Sequence, residues 1–142
     1  FRTNAEGARQ IAEALRPLGA QVLTYDLPYY TGPEACLHLL SLISLVDERM
    51  AVVYPPLMPV PRWHELNRRG FQLIECPDDE FLTMATNVLA LAPGECVMLA
   101  GNPVTQARLA AAGCEVRTYQ GRELSLKAEG GATCLTRPLL RG

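Results

Sequence analysis

The sequence lacks the patterns that would assign a function at once. It holds neither G-x-G-x-x-G nor G-x-x-x-x-G-K-[ST], so nothing in it points to a nucleotide. It has no excess of positive charge: 13 lysines and arginines stand against 15 acids, net charge is −2, and no basic cluster stands out. Nucleic acid is therefore not an expected partner. Long hydrophobic runs are missing as well. The longest, residues 37–46, is interrupted by His38, Ser41 and Ser44 and is too short to span a bilayer, so no membrane association is expected. No signal-peptide pattern is found. Finally, Cys36, Cys76, Cys96, Cys114 and Cys134 contain no C-x-x-C pair. An odd number at wide spacing suggests reduced thiols in a cytoplasmic protein rather than a disulfide framework or a zinc knuckle. No metal and no cofactor is expected.

What is present reads as a globular chain. With 142 residues, 49% hydrophobic and 20% charged, one domain over residues 1–142 with a core of its own is the expectation. The opening Phe1-Arg2-Thr3-Asn4 has no methionine. The true start is then either processed away, or this is the C-terminal part of something longer.

An internal repeat organises the chain. "EALRPLGAQVLTYD" (13–26), "HELNRRGFQLIECP" (64–77) and "ARLAAAGCEVRTYQ" (107–120) each read as a helix end, a glycine and a strand. Gly19, Gly70 and Gly113 sit where a left-handed residue closes a helix. Between them, "HLLSLISLVDERMAVVYPP" (38–56) and "NVLALAPGECVMLAGNP" (87–103) read as strand pairs around tight turns, at Asp47-Glu48-Arg49 and Pro93-Gly94-Glu95. The prolines that follow suit helix starts. The unit is strand-strand-helix-strand. Complete copies span about 38–76 and 87–119; a helix–strand half-copy falls in about 1–26, and a lone strand start in about 132–142.

Each unit opens on a polar or reactive residue: His38, Asn87 or Cys134. Units arranged about a pseudo-rotation axis would bring these strand starts together. Cys134 follows "GGAT", a turn that permits close approach. It is either a small core residue or a nucleophile, and a nucleophile needs a base such as His38 beside it. Taken alone, a histidine in an apolar strand such as His38 is usually a satisfied core residue. His64, on the polar face of "RWHELNRR", reads as solvated. Cys76, Cys96 and Cys114 read as structural, and Cys36 as packing near His38. In "CPDDE" (76–80) Asp78 or Asp79 is expected to cap a short helix toward Phe81, and "GNP" (101–103) is a turn.

Taken together, "RTN" (2–4), "CLHLLSLI" (36–43), "PDDEFLTMATNVLAL" (77–91) and "GGATCLT" (130–136) resemble the dimethylarginine dimethylaminohydrolase branch of the amidinotransferase and arginine deiminase superfamily. The order holds along essentially the whole chain. The resemblance implies an α/β propeller of five strand-strand-helix-strand units, of which this chain would carry about three. It implies that Cys134 is the nucleophile, that His38 is the general acid/base, and that Arg2 holds the substrate's α-carboxylate. Asn87 would open the next unit, as a substrate contact or a structural residue. The implied reaction is hydrolysis of a guanidino compound through a thiouronium adduct, giving a ureido product such as citrulline.

Two departures qualify it. Arginine and agmatine deiminases carry an acid two residues after the histidine, and the methylarginine hydrolases often a lysine; here the position is Leu40. The family's guanidinium-binding acids, one of them shortly upstream of R-T-N, have no counterpart in this chain. A buried guanidinium without negative charge would be costly. A second chain is therefore expected, an N-terminal half or another copy. The alternatives are a non-catalytic propeller scaffold, as in a ribosome-binding translation factor of this fold, or an inactive fragment.

Overall fold

The computed structural model describes residues 3–35, 37–137 and 139. Two sheets of the same design form its centre. In the first, β1 (Ile43–Asp47) pairs antiparallel with β2 (Met50–Val53), and β2 pairs parallel with β3 (Gln72–Glu75). The crossover from β2 to β3 is made by α2 (Val60–Arg68). In the second, β4 (Leu89–Ala92), β5 (Glu95–Leu99) and β6 (Glu115–Tyr119) repeat this order, with α4 (Pro103–Ala111) as the crossover. Even the irregularities recur. The register shifts between Leu45 and Asp47 in one hairpin and between Ala90 and Ala92 in the other. Such a bulge sharpens the local twist just ahead of the turn.

The sequence explains these elements locally. Gly19, Gly70 and Gly113 have φ of 66°, 72° and 98°, the left-handed cap conformation expected of them. Pro61 and Pro103 lie in the first turns of α2 and α4, where a missing N–H costs nothing. Asn4 caps α1 (Ala5–Leu15) by accepting the Gly7 N–H at 2.8 Å.

Alternate residues of β2 face opposite sides, and both sides are covered. Val52 packs with Val46, Val88, Met98 and Leu109 between the two units. Ala51 and Val53 pack with Leu42, Met58 and Leu66 under α2, against Leu27 and Leu37 of the preceding segment. The units are also hydrogen-bonded to each other. Gly94 N–H donates to Val46 O at 2.9 Å. The buried Ser44 hydroxyl donates to Thr86 O at 2.6 Å and accepts the Val88 N–H at 3.1 Å.

Three expectations need correction. Residues 20–25 form no strand. β3 and β6 each pair with a hairpin strand that precedes their helix, and no strand precedes α1 among the described residues. His38 does not open β1 directly: Leu39–Ser41 form a 3-10 turn, and the strand starts at Ile43. Cys134 lies not at a strand start but in a helical turn, α5 (Ala132–Leu135), closed by Cys134 N–H and Leu135 N–H on Gly131 O. Neither acid of "CPDDE" makes an N-cap. α3 (Asp78–Phe81) starts after Pro77, and Asp78 instead accepts from the Tyr54 hydroxyl at 3.1 Å.

Candidate active site

The site is built from the segment before β4 and the turn of α5. After α3, Met84 takes φ of 64°, a left-handed conformation rare for a side chain of this kind. Its carbonyl accepts the Asn87 N–H at 2.9 Å, which closes the turn that presents Asn87. Asn87 is 8% exposed and uses its amide on the α5 turn. Nδ2 donates to Cys134 Sγ at 3.1 Å, and Oδ1 accepts the Thr133 N–H at 3.1 Å. The Thr133 hydroxyl adds a third tie, donating to Val88 O at 3.2 Å.

Gly131 is required for this approach. A Cβ there would stand 2.3 Å from Asn87 Cγ and 2.4 Å from Asn87 Oδ1. The glycine is needed for space rather than for φ, which is −82°. Cys134 itself is exposed, whereas Cys76, Cys96 and Cys114 are buried. Burial pushes the Cys76 and Cys96 thiols up to about 11 and raises Cys114 as well. A thiol at that value is almost wholly protonated at neutral pH and unreactive.

His38 joins this arrangement through its backbone. Its N–H donates to Ser41 Oγ at 3.2 Å, and its carbonyl accepts the Ser41 N–H at 2.9 Å. The Ser41 carbonyl in turn accepts from the Thr86 hydroxyl at 2.7 Å. Thr86 precedes Asn87 in the chain, so the His38 turn and the Cys134 turn are anchored to adjacent residues. The structure thus brings Asn87 and Cys134 into contact and ties the His38 turn to the same segment. Arg2 and Cys36 lie outside the described residues. His64 is exposed on α2, as expected. An open depression of about 690 Å³ runs along Tyr119–Ser125 to Leu135, but neither Cys134 nor Asn87 lines it.

The residue that anchors this loop was not singled out from the sequence. Glu80 is 4% exposed, and its carboxylate accepts from Val104 N–H at 2.7 Å, Thr105 N–H at 2.8 Å and Thr105 Oγ1 at 2.6 Å. It thereby satisfies the free donors at the N-terminus of α4 from another part of the chain. Asn102, 2% exposed, adds bonds to Thr83 O and from Thr83 Oγ1. The signal available was a short, strongly acidic helix followed by a proline-started one, without a way to pair them.

Among the described residues no group of three or more His, Cys, Asp or Glu could hold a metal ion. None of their helices is long and apolar enough to cross a membrane.

Comparison with known proteins gives this geometry a context. Residues 60–141 match the family model for arginine deiminase. A Bacillus subtilis protein, YkgA, itself uncharacterized, is 30% identical over 141 residues, covering 99% of this chain and 46% of its own length. An arginine deiminase of Rhodococcus jostii is 28% identical over 171 residues, covering 99% and 41%. The chain thus spans about half the length of the curated relatives it matches. Among solved structures, a cysteine-to-serine mutant of dimethylarginine dimethylaminohydrolase from Pseudomonas aeruginosa, complexed with citrulline, superposes with TM-score 0.71 at 26% identity. The match covers 94% of this chain and 47% of that one. The product-bound N-terminal domain of ArgZ, a cyanobacterial arginine dihydrolase, superposes with TM-score 0.74 at 23% identity, covering 99% and 50%. The fold is a partial α/β propeller built from strand-strand-helix-strand units.

Proposed function

The chain belongs to the arginine deiminase family, and from that premise we propose that it carries the nucleophile-bearing part of a cysteine hydrolase of guanidino compounds. The observation that carries this reading is the contact between Asn87 Nδ2 and Cys134 Sγ in an exposed, glycine-opened turn. That N–H fixes the sulfur in a turn that solvent and a ligand can reach. A cysteine serving only as packing would instead be buried, as Cys76, Cys96 and Cys114 are.

In this reading the Cys134 thiolate attacks the guanidinium carbon. The carbon–nitrogen bond to the departing amine breaks, and His38 protonates that amine, leaving a thiouronium adduct on sulfur. His38 then takes a proton from water, the hydroxide attacks the adduct carbon, and the carbon–sulfur bond breaks to release a ureido product. Asn87 holds the sulfur through Nδ2 and is read as a substrate contact as well. Arg2 would hold an α-carboxylate. The substrate class is arginine or a methylated arginine, with citrulline as product. Those are the compounds named for the relatives and neighbours.

The cation needs acidic partners that no residue of this chain matches. We therefore assign most of the substrate grip, the acids that meet the cation, to a second propeller segment or chain, with residues 1–142 acting as one C-terminal domain in the cytoplasm. The test is citrulline formation from arginine and dimethylarginine, with and without the N-terminal half of a relative supplied in trans. Activity should appear only in the mixture and vanish in Cys134→Ser. Full activity of the 142 residues alone would overturn the assignment of the missing acids. Activity that survives Cys134→Ser would overturn the nucleophile.

A further inference from the structure

We propose that Thr86 is a positioning residue, whose hydroxyl sets the His38 turn in register with the Asn87–Cys134 contact. The inference rests on the reading of Cys134 and His38 as nucleophile and base.

Thr86 is 2% exposed and is hydrogen-bonded both to the His38 turn and to β1. Its hydroxyl donates to Ser41 O at 2.7 Å, at the end of the 3-10 turn that begins after His38. Its carbonyl accepts from Ser44 Oγ at 2.6 Å, at the start of β1. The next residue is Asn87, and the Val88 N–H that follows returns to Ser44 Oγ at 3.1 Å. Ser44 is itself 3% exposed. Two hydroxyls thus clamp the three residues 86–88 onto residues 41–44, with Asn87 held between them and pointing at the nucleophile.

The geometry goes beyond satisfying buried polar groups. Ser44 alone fixes the segment to β1, since it bonds both Thr86 O and Val88 N–H. The Thr86 hydroxyl reaches past it to the turn that carries His38, where Ser41 also bonds the His38 backbone at both N–H and carbonyl. Losing that hydroxyl leaves the Ser44 clamp and the Asn87–Cys134 contact in place and removes the hydrogen bond from Thr86 to the His38 turn. A base displaced by even about 1 Å loses much of its effect. A role confined to stability would lower the unfolding free energy without singling out His38.

The experiment measures the alkylation rate of Cys134 by 2-chloroacetamidine, located by peptide mass, in the 142-residue protein. The variants are Thr86→Val, Thr86→Ser, His38→Ala and the Thr86→Val/His38→Ala pair. Thr86→Val keeps the shape and removes the donor; Thr86→Ser restores it. The expected result is that His38→Ala and Thr86→Val each slow Cys134 by roughly tenfold, that Thr86→Ser stays near the wild-type rate, and that Thr86→Val adds nothing further in the His38→Ala background. If His38→Ala slows the reaction and Thr86→Val does not, the positioning role is wrong and the proposed function stands. If Thr86→Val slows Cys134 equally with and without His38, the threonine acts independently of the base and the inference fails. If His38→Ala has no effect, the base assignment fails, and this inference with it. Should Thr86→Val not fold, Thr86→Ala, which adds no bulk, is read by the same criteria.

Discussion

Asn87 donates to Cys134 Sγ at 3.1 Å with one end of its amide and accepts the N–H of Thr133 at 3.1 Å with the other. One buried side chain therefore fixes both the sulfur and the backbone that presents it. Asn87→Ala should slow Cys134 alkylation by roughly tenfold and lower stability by about 1–3 kcal/mol, because the Thr133 N–H loses its partner. Asn87→Asp places a carboxylate against the sulfur and should slow it further. Chemical denaturation and alkylation kinetics on the same samples separate the two effects.

Gly131→Ala should break the same contact from the other side. The added methyl would stand 2.3 Å from Asn87 Cγ, so the turn or the amide must move. The cost expected for such overpacking is about 1–3 kcal/mol. The neighbouring Gly130→Ala, whose Cβ would meet Leu135 Cδ2 at 3.4 Å, should be milder. Comparing the two variants by thermal denaturation checks that space at Gly131 is what matters.

Glu80→Ala should destabilise the protein by about 2–3 kcal/mol, since it removes a buried charged acceptor from two backbone donors and a hydroxyl. Glu80→Gln keeps one good acceptor oxygen and should cost less. Because Glu80 anchors the loop that leads to Asn87, hydrogen exchange at 82–88 should rise in Glu80→Ala. Unchanged protection there would detach Glu80 from the site.

Alkaline pH should destabilise the fold through its buried thiols. Burial lifts Cys76 and Cys96 to about 11, above the 9.0 of an ordinary cysteine. The folded state keeps these protons after the unfolded chain has lost them. Their contribution to stability is therefore complete below pH 9 and falls as pH rises toward about 11. The Cys76→Ala/Cys96→Ala variant should be less stable at neutral pH, yet lose less stability across that alkaline window. Denaturation midpoints at a series of pH values read this directly.

The repeat was legible because it rests on local chemistry. Gly19, Gly70 and Gly113 end helices in the left-handed conformation, and the alternation after Gly70 and Gly113 becomes β3 and β6. The same pattern after Gly19 misled, because a strand exists only with a partner and none is offered there among the described residues. Cys134 stood out from its glycines as either a core residue or a nucleophile, but its helical turn was not legible. That turn depends on Asn87 fitting against Gly131, a contact between distant parts of the chain. Glu80, Ser44 and Thr86 were overlooked for the same reason: their partners lie 24 to 45 residues away. Asp78 and Asp79 were the more obvious caps by position, yet the turn of α3 begins at Pro77 and leaves them within it.

The reactivity of Cys134 in the native protein, set against its own reactivity in urea, separates a built nucleophile from a merely exposed thiol. With 2-chloroacetamidine at neutral pH, native Cys134 should react roughly tenfold faster or more than the same residue in the unfolded chain, a difference of about 1.4 kcal/mol or more. Equal rates, or a slower rate in the native protein, would contradict the assignment of Cys134 as the nucleophile.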